Sequence, residues 1–116
     1  MKRTHRLYLN DINEAIERIE VYVKDLTFEE FSKNMLVIDA VVRNFEIIGE
    51  ATKHIPAEIK TDNPLIKWKE MAGMRDKLAH EYFGVNIEIL WKTAKNRLPK
   101  LKPLVNELLE NTEETK

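Results

Sequence analysis

Apolar residues return at three- and four-residue steps from Leu7 to Leu26, with Tyr8, Ile12, Ala15, Ile16, Ile19, Tyr22 and Val23 on one side of a helical projection. That period predicts a first amphipathic helix. Thr27 and Glu30 follow at the spacing of a capping box, in which each residue satisfies an amide of the other, so a short turn of helix is expected there. From Asn34 to His54 almost every position is apolar, including Met35, Val37, Ile38, Val41, Phe45 and Ile48. This second long helix must therefore be covered on several sides, at the centre of a bundle or in a subunit interface. Its polar exceptions Asp39, Arg43, Glu46 and Glu50 recur at steps of four, three and four, which places them on one stripe that needs water or charged partners.

Ile55-Pro56 ends that helix. Lys60 to Asn63 reads as a loop, with Asn63 as the N-cap and Pro64 as the first residue of a third helix running to about Tyr82. Gly84 is expected to stop it, and Asn86 to cap a fourth helix with Val85 and Leu90 as a hydrophobic staple. Pro99 and Pro103 must bend or restart that last element, because proline lacks the amide donor a helix interior uses. The chain shows no internal repeat and no linker, so residues 1–116 are expected to form one all-α domain, an up-and-down bundle of four to five helices.

A formal charge of −1 gives no global field to draw the protein onto nucleic acid, so any such contact has to be local. Lys92, Lys95, Arg97, Lys100 and Lys102 form a run with no acid between them, which reads first as a solvated helix face, while Glu107, Glu110, Glu113 and Glu114 make the tail acidic. The absence of cysteine excludes disulfides, thiolate metal sites and a thiol nucleophile, and fits a reducing compartment such as the cytoplasm. Met1 to Arg6 is basic, but Asn10, Asp11, Asn13 and Glu14 interrupt the apolar run that a signal peptide requires. No apolar stretch approaches the roughly 18 residues needed to cross a bilayer. The three histidines, His5, His54 and His80, stand at no metal-ligand spacing, so neither metal nor cofactor is expected.

The chemistry concentrates between Met71 and Phe83. On the third helix the apolar face comprises Leu65, Trp68, Met71, Ala72, Leu78, Ala79 and Tyr82, and Arg75 lies within it. A guanidinium there must meet a carboxylate, a phosphate or water in a cleft, since an unpaired buried charge is costly. One reading is an ion pair with Asp39, Glu46 or Glu50; the other is an anion site. Tyr82, seven residues on, is nearly aligned with Arg75, whereas His80, five on, is rotated from it by about 140°. For Arg75 and His80 to act on one phosphate, the helix must distort or end near His80, or a second subunit must complete the site. Asp76, four residues before His80, stands where a carboxylate orients an imidazole. Read alone, His80 is a surface or capping residue and Tyr82 a core aromatic.

Arg75, His80 and Tyr82 together form an R-x4-H-x-Y pattern. With Phe28-Glu29-Glu30-Phe31, the segment Arg43 to Ala51, Pro64, Trp68, Gly73-Met74-Arg75, Trp91 and Leu98-Pro99, this pattern resembles the HepT-like toxins of the HEPN superfamily over nearly the whole chain. Asp76 departs from the resemblance where relatives often carry Asn, and Glu81 where Gly is frequent. The resemblance implies an RNA-cleaving toxin of a type VII toxin–antitoxin pair, acting without a metal, with Arg75 and His80 catalytic; Asp76, from its spacing to His80, and Glu50, from the polar stripe, are expected in support. It implies a homodimer in which two copies of the motif helix line one cleft. It further implies a partner nucleotidyltransferase of the MNT type that transfers AMP to Tyr82 and silences the toxin by charge and bulk. The competing readings are a non-catalytic module that binds the nucleotidyltransferase or a nucleotide, and a structural bundle whose Arg75 is tied off in the core. Mere binding has no need of the complete set of Arg75, His80 and Tyr82.

Overall fold

The capping box at Thr27 closes as its spacing predicts: the Glu30 amide donates to Thr27 Oγ1 at 3.1 Å, and the Thr27 amide donates to Glu30 Oε1 at 2.9 Å. The computed structural model describes residues 4–80 and 86–112, with the side chains of 75–80 outside that description. In chain order the elements are α1 (His5–Val23), α2 (Phe28–Ser32), α3 (Met35–Lys53), α4 (Ala57–Asp62), α5 (Trp68–His80) and α6 (Ile87–Lys92); a wide π turn (Thr93–Arg97) then leads into α7 (Leu98–Asn111). No strand occurs among the described residues, and the fold is an all-α helical bundle.

The long helices start where short polar side chains relieve the orphan amides of the first turn. Asn34 Oδ1 accepts from the Val37 amide at 3.1 Å, and Asn86 Oδ1 from the Ile89 amide at the same distance. The segment after Pro56 departs from expectation. Lys60 to Asp62, expected in a loop, end the short helix α4, and Asn63 closes that helix instead of opening the next. The physical reason is where Asn63 spends its polar groups: its Nδ2 donates back to the Ile59 carbonyl at 2.9 Å, and its own carbonyl accepts from the Trp68 indole at 3.0 Å. Pro64 and Leu65 thus precede α5, and Leu65 is 75% exposed instead of belonging to an apolar helix face.

The restart expected near Pro99 takes the form of the π turn, in which the Leu98 amide reaches five residues back to the Thr93 carbonyl. The widened turn keeps the chain helical from Ile87 to Asn111 although Pro99 and Pro103 contribute no amide. Pro99 sits in the first turn of α7, where that donor is dispensable.

Packing follows the apolar pattern. Leu9, Ile12, Ile16 and Ile19 of α1 are sealed from water, and α3 is buried on more than one side, through Val41, Val42, Phe45 and Ile48. Each such side chain contributes roughly 1.5–3 kcal/mol relative to exposure. α1 lies against α3 and α7, and α3 lies against α5. One end of the bundle gathers the start of α1 and the ends of α3 and α7. There Arg6 Nη1 donates to the Leu109 carbonyl at 2.9 Å, and the Tyr8 ring stacks on His54 with centroids 4.5 Å apart. The α4–α5 turn joins them, since Pro64 borders the same small hollow as Leu104, Leu108 and Asn111. The opposite end is held by Phe31 of α2 against Trp91 of α6, 5.1 Å between centroids. α5 therefore starts at the first end and runs antiparallel to α3. Where the last turn of α1 meets the first half of α7, Lys102 Nζ is 3.0 Å from Glu20 Oε1, and that hydrogen bond and charge hold the ammonium above the usual lysine range. None of the helices among the described residues is long and apolar enough to cross a membrane.

Candidate active site

α5 is fixed in rotation by its first turn. Trp68 and Met71 are buried, and the indole is tethered to Asn63, so the remaining positions of the helix follow from 100° steps. Position 75 then falls on the same side as Trp68 and Met71, whereas position 80 falls in line with Gly73, one near-repeat earlier. Among the described residues the Gly73 side is open, and a Cβ built there meets none of them within 4 Å. The rotation between positions 75 and 80 foreseen from spacing is thus present in a backbone that stays helical through His80. The side chains of Arg75, Asp76 and His80, together with residues 81–85 and hence Glu81, Tyr82 and Gly84, lie outside the described residues.

An open Gly inside a helix leads to a direct expectation. Gly73→Ala adds no clash and removes backbone freedom from the unfolded chain, so it raises stability by roughly 0.5–1 kcal/mol in urea unfolding. A loss of stability instead would mean that this face is covered in solution.

Because α5 runs antiparallel to α3, with Met71 and Met74 bordering the same groove as Phe45 and Ile48, its second half passes beside the earlier turns of α3. Those turns carry the polar stripe. Asp39 and Arg43 are exposed and Glu46 is half-buried on the described surface. Glu50, the expected support, lies further toward the end of α3, where its Oε2 is 3.3 Å from His54 Nε2. His54 belongs to a separate cluster, stacked on Tyr8 and distant in sequence from the motif. His5 opens α1. Among the described residues no group of three or more His, Asp or Glu side chains gathers at a metal-binding geometry.

The cationic run of residues 92–102 is not one solvated face. Lys92 pairs with Glu88 at 3.0 Å within its own helix, Lys102 pairs with Glu20, and Arg97 Nη1 reaches Glu70 Oε2 of α5 at 3.2 Å. Lys95 donates to the Lys24 carbonyl and sits 4.9 Å from the Trp91 ring centroid. Local spacing held no signal for the contacts to Glu20, Glu70 and Lys24, which lie far away along the chain.

A model of the ribonuclease HepT-like family matches residues 12–108. A Thermococcus cleftensis protein whose name makes it a probable ribonuclease HepT is 53% identical over 88% of this chain and 93% of its own length. A Caldanaerobacter subterraneus protein whose name proposes an RNase is 45% identical over 93% of this chain and 96% of its own. A Methanocaldococcus jannaschii protein, likewise named for a proposed RNase activity, is 42% identical over 97% of both. No solved structure gives a significant match.

Proposed function

The chain belongs to the ribonuclease HepT-like family, and from that premise we propose that it is a ribonuclease toxin whose reaction is carried by Arg75 and His80. The observation that carries this reading is the pair itself: a cation and an imidazole on one helix, in a chain with this ancestry, where a purely structural bundle has no use for the second.

The reaction is transesterification. His80 withdraws the proton of a ribose 2′-hydroxyl, the 2′-oxygen attacks the adjacent phosphorus, and the bond from phosphorus to the 5′-oxygen breaks. An imidazolium returns a proton to the leaving 5′-oxygen, so a 2′,3′-cyclic phosphate and a free 5′-hydroxyl result. An unperturbed imidazole titrates near pH 6.5, which suits both proton transfers at neutral pH. Arg75 binds the phosphate and stabilises the charge that grows on its oxygens. The roughly 140° between positions 75 and 80 supports a homodimeric site, in which Arg75 of one α5 and His80 of the other meet one phosphate. Asp76 orients the imidazole, and no metal takes part. The test is a nuclease assay on total RNA in EDTA with wild type, Arg75→Ala and His80→Ala side by side; cleavage by wild type alone is the expected outcome.

The reading extends to control. The toxin is paired with an MNT-type nucleotidyltransferase of a type VII system, which transfers AMP from ATP to the Tyr82 hydroxyl with release of pyrophosphate. The added phosphate and nucleoside then occupy the place of the RNA phosphate and repel it. Incubation with that partner and ATP is expected to add mass in units of AMP to wild type and none to Tyr82→Phe, read by intact-mass spectrometry. AMP addition that persists in the variant rejects Tyr82 as the acceptor.

A further inference from the structure

α1 is packed on both α3 and α7, and α3 on α5, but among the described residues α5 and α7 have no comparable contact. The bundle is consequently unclosed along one seam, which leaves a groove of about 500 Å³ running between α5 and the π turn and α7, above α3. Phe45, Ile48, Met71 and Leu98 form its buried floor, and Leu101 and Leu104 its half-buried wall. The lip carries Lys67, Arg97, Lys100 and the exposed Leu65.

Shape and charge together indicate the occupant. A trough flanked by helices and floored by aliphatic side chains accepts the apolar face of one more helix, with its side chains set into the existing ridges. Among the described residues its one lining aromatic ring, Phe45, is fully buried and offers no ring face to a stacked base. The lining holds, among the described residues, three cations and a single carboxylate, Glu70. That carboxylate reaches across the seam to Arg97 at 3.2 Å, in a pair more than half exposed at both partners. Exposed pairs of this kind are weak, so an incoming carboxylate can replace Glu70 at Arg97 with little loss.

We propose that this seam is a docking groove for an acidic amphipathic helix of a partner protein. The helix lays leucine-like side chains against Leu65, Leu101 and Leu104, above the buried floor, and sets flanking Asp or Glu residues against Lys67, Arg97 and Lys100. The proposal does not depend on the ribonuclease reading, since none of these residues belongs to the Arg75–His80 pair.

The probes are fluorescein-labelled helical peptides about five turns long, with one leucine face and either glutamate or lysine flanks, plus a glutamate-flanked control with its leucines replaced by serine. Fluorescence anisotropy with the full chain is expected to show binding of the glutamate-flanked leucine peptide alone, weakened by added salt. Arg97→Glu combined with Lys100→Glu should reduce that affinity at least about tenfold. Leu65→Glu should act in the same direction. All three positions are exposed, and circular dichroism checks that the variants stay folded. The proposal falls if the glutamate-flanked peptide does not bind, if the lysine-flanked peptide binds as well, or if the double variant binds unchanged. It also falls if single-stranded RNA displaces the peptide and loses its own binding in the double variant, which would make the seam a nucleic-acid surface. A change of oligomeric state in the double variant, by sedimentation, would assign the groove to a second copy of the chain and equally overturn it.

Discussion

His80→Ala is expected to give a folded chain that cleaves RNA about 100- to 10,000-fold more slowly than wild type, the span associated with losing a positioned acid–base group. The size of the effect follows from the chemistry: a 2′-hydroxyl is a poor nucleophile until its proton leaves, and a 5′-alkoxide is a poor leaving group until one arrives. Both transfers fail without the imidazole. Arg75→Ala is expected to lose about 100- to 1,000-fold, because an electrostatic donor at the phosphate is removed from a step in which phosphate charge grows. Arg75→Lys restores only part of that loss, since an ammonium lacks the planar two-pronged geometry of a guanidinium. Initial rates on total RNA in EDTA, with thermal unfolding as the control for folding, read all three. Wild-type cleavage by folded His80→Ala would refute the assignment.

Phe45→Ala is expected to cost about 3–5 kcal/mol, the range for deleting a fully enclosed aromatic side chain from a core that collapses only in part. Phe45 has no exposed surface and lies on α3, the helix that α1 and α5 both pack against. The loss should appear as a fall in Tm of about 12–20 °C. Leu65→Ala, at a position 75% exposed, should change stability by less than about 0.5 kcal/mol. Thermal and urea unfolding of the two variants make the comparison. A Tm for Phe45→Ala within a few degrees of wild type would show that α3 is not the centre of the core.

The agreement between chain and fold is closest where an interaction spans three or four residues. The Thr27–Glu30 box, the cap at Asn86 and the apolar stripe of α1 are each closed by neighbours in sequence, so a pattern of residue types suffices to foresee them. Asn63 marks the limit. Its composition suits a helix start as well as a helix end, and the choice is made by the Ile59 carbonyl and the Trp68 indole that it meets. Leu65 was counted in the apolar face of a helix that begins only at Trp68. Of the site, the spacing of Arg75, Asp76 and His80 and their shared helix were readable, including the rotation between positions 75 and 80. Which part of the polar stripe lies beside that helix was not, because the antiparallel register of α3 and α5 sets it.

The long amphipathic helices, the capping box at Thr27, the cap at Asn86, the absence of thiol chemistry and the clustering of a cation, an imidazole and a phenol within one short segment were determined by the amino-acid sequence alone. Tertiary structure alone decided which faces meet. It bridged α5 to the π turn through Glu70 and Arg97, joined α1 to α7 through Glu20 and Lys102, and left the seam over Phe45 unclosed. The reason is one of range. Hydrogen bonds and side-chain contacts within a helix repeat every three or four positions and leave a local imprint, whereas contacts between helices depend on how whole faces pack, and no short stretch of residues encodes that.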